Sequence, residues 1–112
     1  MSVSRLEPCD SVTLTVVAAG QVVSNRPCCV QAVVLSPAAA ASTLSLYDPA
    51  VPVSEATAPT TTGATLVVTI NAVANGASVI LPVSGSGLNF KNGCVAVVTG
   101  SAATGSVHYA KF

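Results

Sequence analysis

The sequence predicts an all-β domain, an antiparallel β-sandwich of jelly-roll type with eight or nine short strands. Three observations carry that reading. The apolar residues are small and β-branched, 20 Val and 18 Ala against 15 Leu, Ile, Met, Phe and Tyr together. Such side chains lose rotamer freedom in a helix and pack well on a pleated surface. Alternating apolar and polar segments recur about every ten residues between turn-forming clusters, the spacing of a sandwich. Two Asn-Gly dipeptides, Asn75-Gly76 and Asn92-Gly93, supply the left-handed backbone that tight turns need. With 112 residues there is room for one hydrophobic core.

The elements follow in order. Residues 11–17 alternate, Val12, Leu14 and Val16 opposing Thr13, Thr15 and Val17, until Ala18-Ala19-Gly20 ends the run. Residues 21–24 make a short second strand, and Asn25-Arg26-Pro27 turns the chain. Residues 28–35 are almost continuously apolar, the pattern of a central strand covered on both faces. Residues 38–41, four alanines, are too few for a stable helix and read as loop. Leu44 and Leu46 alternate with Thr43, Ser45 and Tyr47 in a strand over 42–47, stopped by Asp48-Pro49. Residues 64–73 and 77–83 are the clearest strands, and Asn75-Gly76 between them predicts an antiparallel hairpin. A short strand over 88–90 and strands over 94–99 and 106–111 complete the set. Residues 1–10 read as an N-terminal arm and 11–112 as one sandwich domain, whose single long loop, 48–63, is rich in Pro and Thr.

Charge narrows the function. Only 7% of residues are Asp, Glu, Lys or Arg and the net charge is zero, where an ordinary soluble domain carries about 25% charged residues. Nothing is basic enough to steer a nucleic acid or an anionic membrane. The mean hydropathy is +0.71, yet no apolar run approaches the roughly 18 residues of a membrane span, and the first ten residues lack a signal-peptide core. Synthesis in a cytoplasm is expected. A neutral exterior gives little protection against self-association, so the surface reads as one meant to be covered.

Catalytic and ligand chemistry has few carriers. His108 is the single histidine, no G-x-S-x-G elbow accompanies it, and it reads as a solvent-facing strand residue. Ser84-Gly85-Ser86-Gly87 lacks the Lys and the spacing of a phosphate loop and reads as a turn. Cys9, Cys28, Cys29 and Cys94 contain no C-x-x-C, and adjacent Cys28 and Cys29 point to opposite faces of a strand. A bridge from Cys94 to Cys28 or Cys29 is stereochemically open, but free buried thiols are the cytoplasmic expectation. The chain reads as a non-enzyme with no cofactor and no metal.

Several segments resemble short structural proteins of tailed bacteriophages. They are Arg26-Pro27-Cys28-Cys29-Val30-Gln31-Ala32-Val33-Val34, Leu44-Ser45-Leu46-Tyr47-Asp48, Gly63-Ala64-Thr65-Leu66, Gly87-Leu88-Asn89-Phe90-Lys91-Asn92-Gly93-Cys94-Val95 and Ser106-Val107-His108-Tyr109. The resemblance implies a β-sandwich on the virion, chiefly a capsid decoration or cement protein bound to the major capsid protein, with a neck or tail component as the alternative. It implies no catalytic residue. A carbohydrate-binding sandwich is the rival from another class, and a pilus or other surface subunit a lesser structural one. A trimer or dimer is expected, because a core of Val and Ala buries little area per residue. Val3, Arg5, Leu6 and Glu7 in the arm, with Lys111 and Phe112 at the other terminus, are the expected assembly contacts outside the sandwich.

Overall fold

The computed structural model describes residues 10–17, 20–50, 63–82 and 87–111. The described residues contain nine strands and no helix: β1 (Asp10–Thr15), β2 (Gln21–Ser24), β3 (Cys28–Ser36), β4 (Ser42–Asp48), β5 (Thr65–Ala72), β6 (Val79–Pro82), β7 (Leu88–Phe90), β8 (Cys94–Thr99) and β9 (Thr104–Lys111). They form two antiparallel sheets. One runs β1-β9-β3-β6, with β7 also paired to β3, and the other β2-β8-β4-β5.

The pairing order explains the topology. Early strands pair with late ones in mirrored sequence: β1 with β9, β2 with β8, β3 with β6 and β7, β4 with β5. The chain is thus one long antiparallel hairpin bent between β4 and β5. Rolling it brings β9 beside β3 and β8 beside β4. That is the wiring of a jelly roll.

Alternation selects what faces inward. Leu14 and Val107 from the first sheet and Leu44, Leu46 and Val98 from the second meet in one core, with Val33, Leu35 and Phe90 completing it. Gly105 of β9 lets the sheets close, since a Cβ there would stand 2.8 Å from Leu44 Cδ1 and equally near the Val34 carbonyl oxygen. Three irregularities adjust the register, the first between Val22 and Ser24 against β8. The second falls between Val30 and Ala32 against β9, where Gln31 Nε2 donates to Cys29 Sγ at 3.3 Å, and the third between Leu46 and Tyr47 against β5.

Four expectations need correction. Asn75-Gly76 does make a tight turn, with Asn75 at φ 55° and Gly76 N–H donating to the Val73 carbonyl at 3.0 Å. The strands it joins nevertheless do not pair, because β5 adds to β4 and β6 to β3. Val68 and Ile70 of β5 and Val79 and Leu81 of β6 cover the same core from opposite sheets, so the turn is a corner between layers. The first strand ends at Thr15 and leaves Val16 and Val17 exposed. Asp10, counted with the arm, opposes Tyr109 within the first sheet. β3 is interior as expected, but only its first three residues are buried on both faces; beyond them burial alternates. Of the loop 48–63, Asp48 closes β4, and residues 51–62 lie outside the described residues.

Candidate assembly surfaces

Of the six expected contact residues, Val3, Arg5, Leu6, Glu7 and Phe112 lie outside the described residues. Lys111 is not outside the sandwich. It is the last residue of β9, and its backbone opposes Cys28 of β3, with Ala110 opposite Cys29. The strand expected over 106–111 keeps that end and begins two residues earlier, at Thr104.

Cys28 and Cys94 are inward-facing, fully buried free thiols on opposite sheets. Burial pushes the Cys28 thiol up to about 11, partly offset by a hydrogen bond with Ser24, while Cys29 and Asp48 raise it further. Burial raises the Cys94 thiol still more, with Cys28 and Asp48 adding to it. Such thiols remain protonated and act as small hydrophobes. Cys29 is buried as well, and its sulfur accepts from Gln31 Nε2. His108 stands on the outer face of the first sheet, half-buried between Ser11 and Ala32, so it is less exposed than a solvent-facing residue. Among the described residues no group of three or more His, Cys, Asp and Glu is placed to hold a metal.

What the sheets present outward is rows of hydroxyls. On the first sheet Thr15, Thr104 and Ser36 lie in one row, and Ser36 Oγ is 2.9 Å from Ser78 Oγ. The next row is Thr13, Ser106, Val34 and Ile80, then Ser11, His108 and Ala32. Ile80 is 63% exposed. On the second sheet Thr43 Oγ1 and Thr99 Oγ1 are 2.5 Å apart and Ser45 Oγ and Thr69 Oγ1 3.0 Å, beside exposed Leu66. Among the described side chains no Asp, Glu, Lys or Arg belongs to either outer face.

Three hydroxyl pairs tie neighbouring segments on these faces: Ser36 with Ser78, Thr43 with Thr99 and Ser45 with Thr69. A partner that covered them would leave fewer polar groups unsatisfied than on a face of solvated single hydroxyls, and it would desolvate no charge. The alternation already signals the composition of these faces, with hydroxyls at 11, 13 and 15 and again at 43 and 45. Which rows lie side by side, and that Ile80 joins Val34, follows only from the roll.

The charged side chains serve another purpose at strand ends. Asp48 accepts hydrogen bonds from the backbone N–H of Lys91 and of Asn92, both at 3.1 Å. Asn92 Nδ2 donates to the carbonyls of Pro49, at 2.9 Å, and Ala50, at 3.2 Å. The Leu44–Asp48 and Phe90–Gly93 pieces singled out in the sequence are thereby fastened to each other, and Asn92-Gly93 is held as the corner from β7 in one sheet to β8 in the other. No family model, curated protein or solved structure matches this chain.

Proposed function

We propose that this chain is a structural subunit of a particle and not an enzyme, specifically a virion decoration or cement protein of a tailed bacteriophage that lies on the lattice of the major capsid protein. The observation that carries the reading is the pair of sheet faces that present rows of hydroxyls, three hydroxyl pairs among them, and no charged side chain among the described ones. Faces of this kind tolerate being covered, and repeated copies give strong attachment from modest individual contacts. Jelly rolls occur in capsid proteins and in lectins, an analogy at the level of fold. Between those two, a lectin would offer an exposed aromatic platform. Among the described aromatics Phe90 and Tyr109 are buried, which leaves Tyr47, half-buried, as the remaining one.

The virion reading rests on the sequence resemblance, and a neck or tail position is its variant. Quantitative mass spectrometry of purified particles tests it. Hundreds of copies per particle are expected for a head lattice, and about a dozen or fewer for a neck or tail ring. Absence from particles, together with saturable binding to a glycan, would overturn the reading in favour of the carbohydrate-binding one.

A further inference from the structure

The topology sorts the described charged residues to one end of the sandwich. Asp10 opens β1, Arg26 sits in the β2–β3 turn, Asp48 closes β4, Lys91 lies in the β7–β8 turn and Lys111 closes β9. Because neighbouring strands are antiparallel, all five fall at the same end. The opposite end consists of the β1–β2, β3–β4, β5–β6 and β8–β9 connections. Its described residues are 16–17, 20, 37–41, 73–78 and 100–103, and they include no charged residue.

That end is also where apolar side chains stand out. Val73 is 72% exposed, Val16 43% and Val17 39%. Ala39, Ala102 and Ser101 are exposed beside them. The loops are fixed in place. Asn75 N–H donates to the Ala38 carbonyl at 2.7 Å, joining the β5–β6 and β3–β4 connections, and Gly100 is seated against Ser42.

We propose that this uncharged loop end is a self-association surface, on which copies of the chain meet like end to like end and close a dimer or small ring. Complementarity argues for a second copy of the same end. An apolar, neutral tip placed against the charged tip of another copy would strip water from ionised groups without pairing them, which disfavours head-to-tail stacking and open filaments. Two neutral tips meet without repulsion or that desolvation, and both charged ends then point away into solvent. A lipid surface fits less well, because the tip offers no basic or aromatic residue to hold a headgroup region. The inference rests on the placement of charge and apolar exposure, and it stands or falls independently of the virion reading.

Sedimentation or light scattering of the full chain over the micromolar range, with matched variants, tests it. The wild type is expected to associate, and to do so equally at about 0.1 M and about 1 M salt, since no charge is screened at the contact. Val73→Lys and Val16→Lys are each expected to weaken association at least about tenfold, with thermal midpoints near that of the wild type because both sites are exposed. Ile80→Lys, on the lateral face, is expected to leave it unchanged. Ser101→Cys under mild oxidation is expected to trap a disulfide-linked dimer. A wild type that stays monomeric would overturn the inference while leaving particle copy number to decide the virion reading. Association broken by Ile80→Lys but indifferent to Val73→Lys would overturn it too, as would binding of zwitterionic vesicles by a chain that does not self-associate.

Discussion

Single residues at the crossing of strands bear more than their size suggests. Gly87, just before β7, has φ +80°, and a Cβ there would stand 2.5 Å from Cys29 Sγ and 2.6 Å from the Val30 carbonyl oxygen. Gly87→Ala therefore combines a left-handed backbone with a clash against main chain. A loss of more than about 1 kcal/mol is expected, read as a lowered urea midpoint with an unchanged slope. The buried thiols give a pH dependence of definite sign. Cys28 and Cys94 hold their protons above the ordinary value of 9.0, to about 11 for Cys28, whereas in the unfolded chain they titrate near that value. Burial, with Asp10 next in weight, raises the Tyr109 phenol in the same direction from 10.0. The unfolded state then binds fewer protons at alkaline pH, so their contribution to stability is fully present below pH 9 and declines as pH rises through 11. Urea midpoints measured from neutral to strongly alkaline pH check this, and a midpoint that rises above pH 9 would contradict it. Alkylation at neutral pH is correspondingly expected to reach Cys28 and Cys94 only after denaturation.

At the scale of elements, the corner between β7 and β8 depends on Asp48, which reaches it from the end of β4. Two backbone N–H groups converge on this carboxylate, and a hydrogen bond to a charged group contributes about 1.5–3 kcal/mol. Because the site is only half-buried, Asp48→Ala is expected to cost near the lower end of that range, about 1.5 kcal/mol, with faster amide exchange at Asn92. Asp48→Asn keeps one acceptor oxygen and is expected to lose less. The two Asn-Gly turns show how local chemistry can be legible while its consequence is not. Both bend the chain where the dipeptides stand, but each joins strands of different sheets: at Asn75-Gly76 because pairing with Leu44 and Leu46 of β4 and with Val33 and Leu35 of β3 is what closes the core, and at Asn92-Gly93 as the corner from β7 to β8.

For the whole molecule, the outermost ladder joins residues nearly a chain length apart, Asp10 with Tyr109 and Thr15 with Thr104. Loop closure on that scale must precede the contacts that reward it, so refolding is expected in the millisecond-to-second range of non-local β proteins. Stopped-flow refolding from urea tests this, and a microsecond phase that recovers the full signal would count against the rolled-hairpin topology. A far-UV circular dichroism spectrum dominated by strand, without helical minima, is expected from the same architecture.

The sequence by itself determined the class of the fold, the position of nearly every strand and the charge-poor character of the surface. Those properties are local: β-branching, alternation and turn dipeptides act within a few residues. It also marked Asp48 and Asn92-Gly93 as noteworthy without saying that they meet. Only the tertiary structure decided which strands share a sheet, that Lys111 stands opposite Cys28, that the hydroxyl rows lie side by side and that the described charges gather at one end. Each of these depends on pairing between residues tens of positions apart, chosen by which arrangement buries the shared core, and no local pattern in the chain encodes that choice.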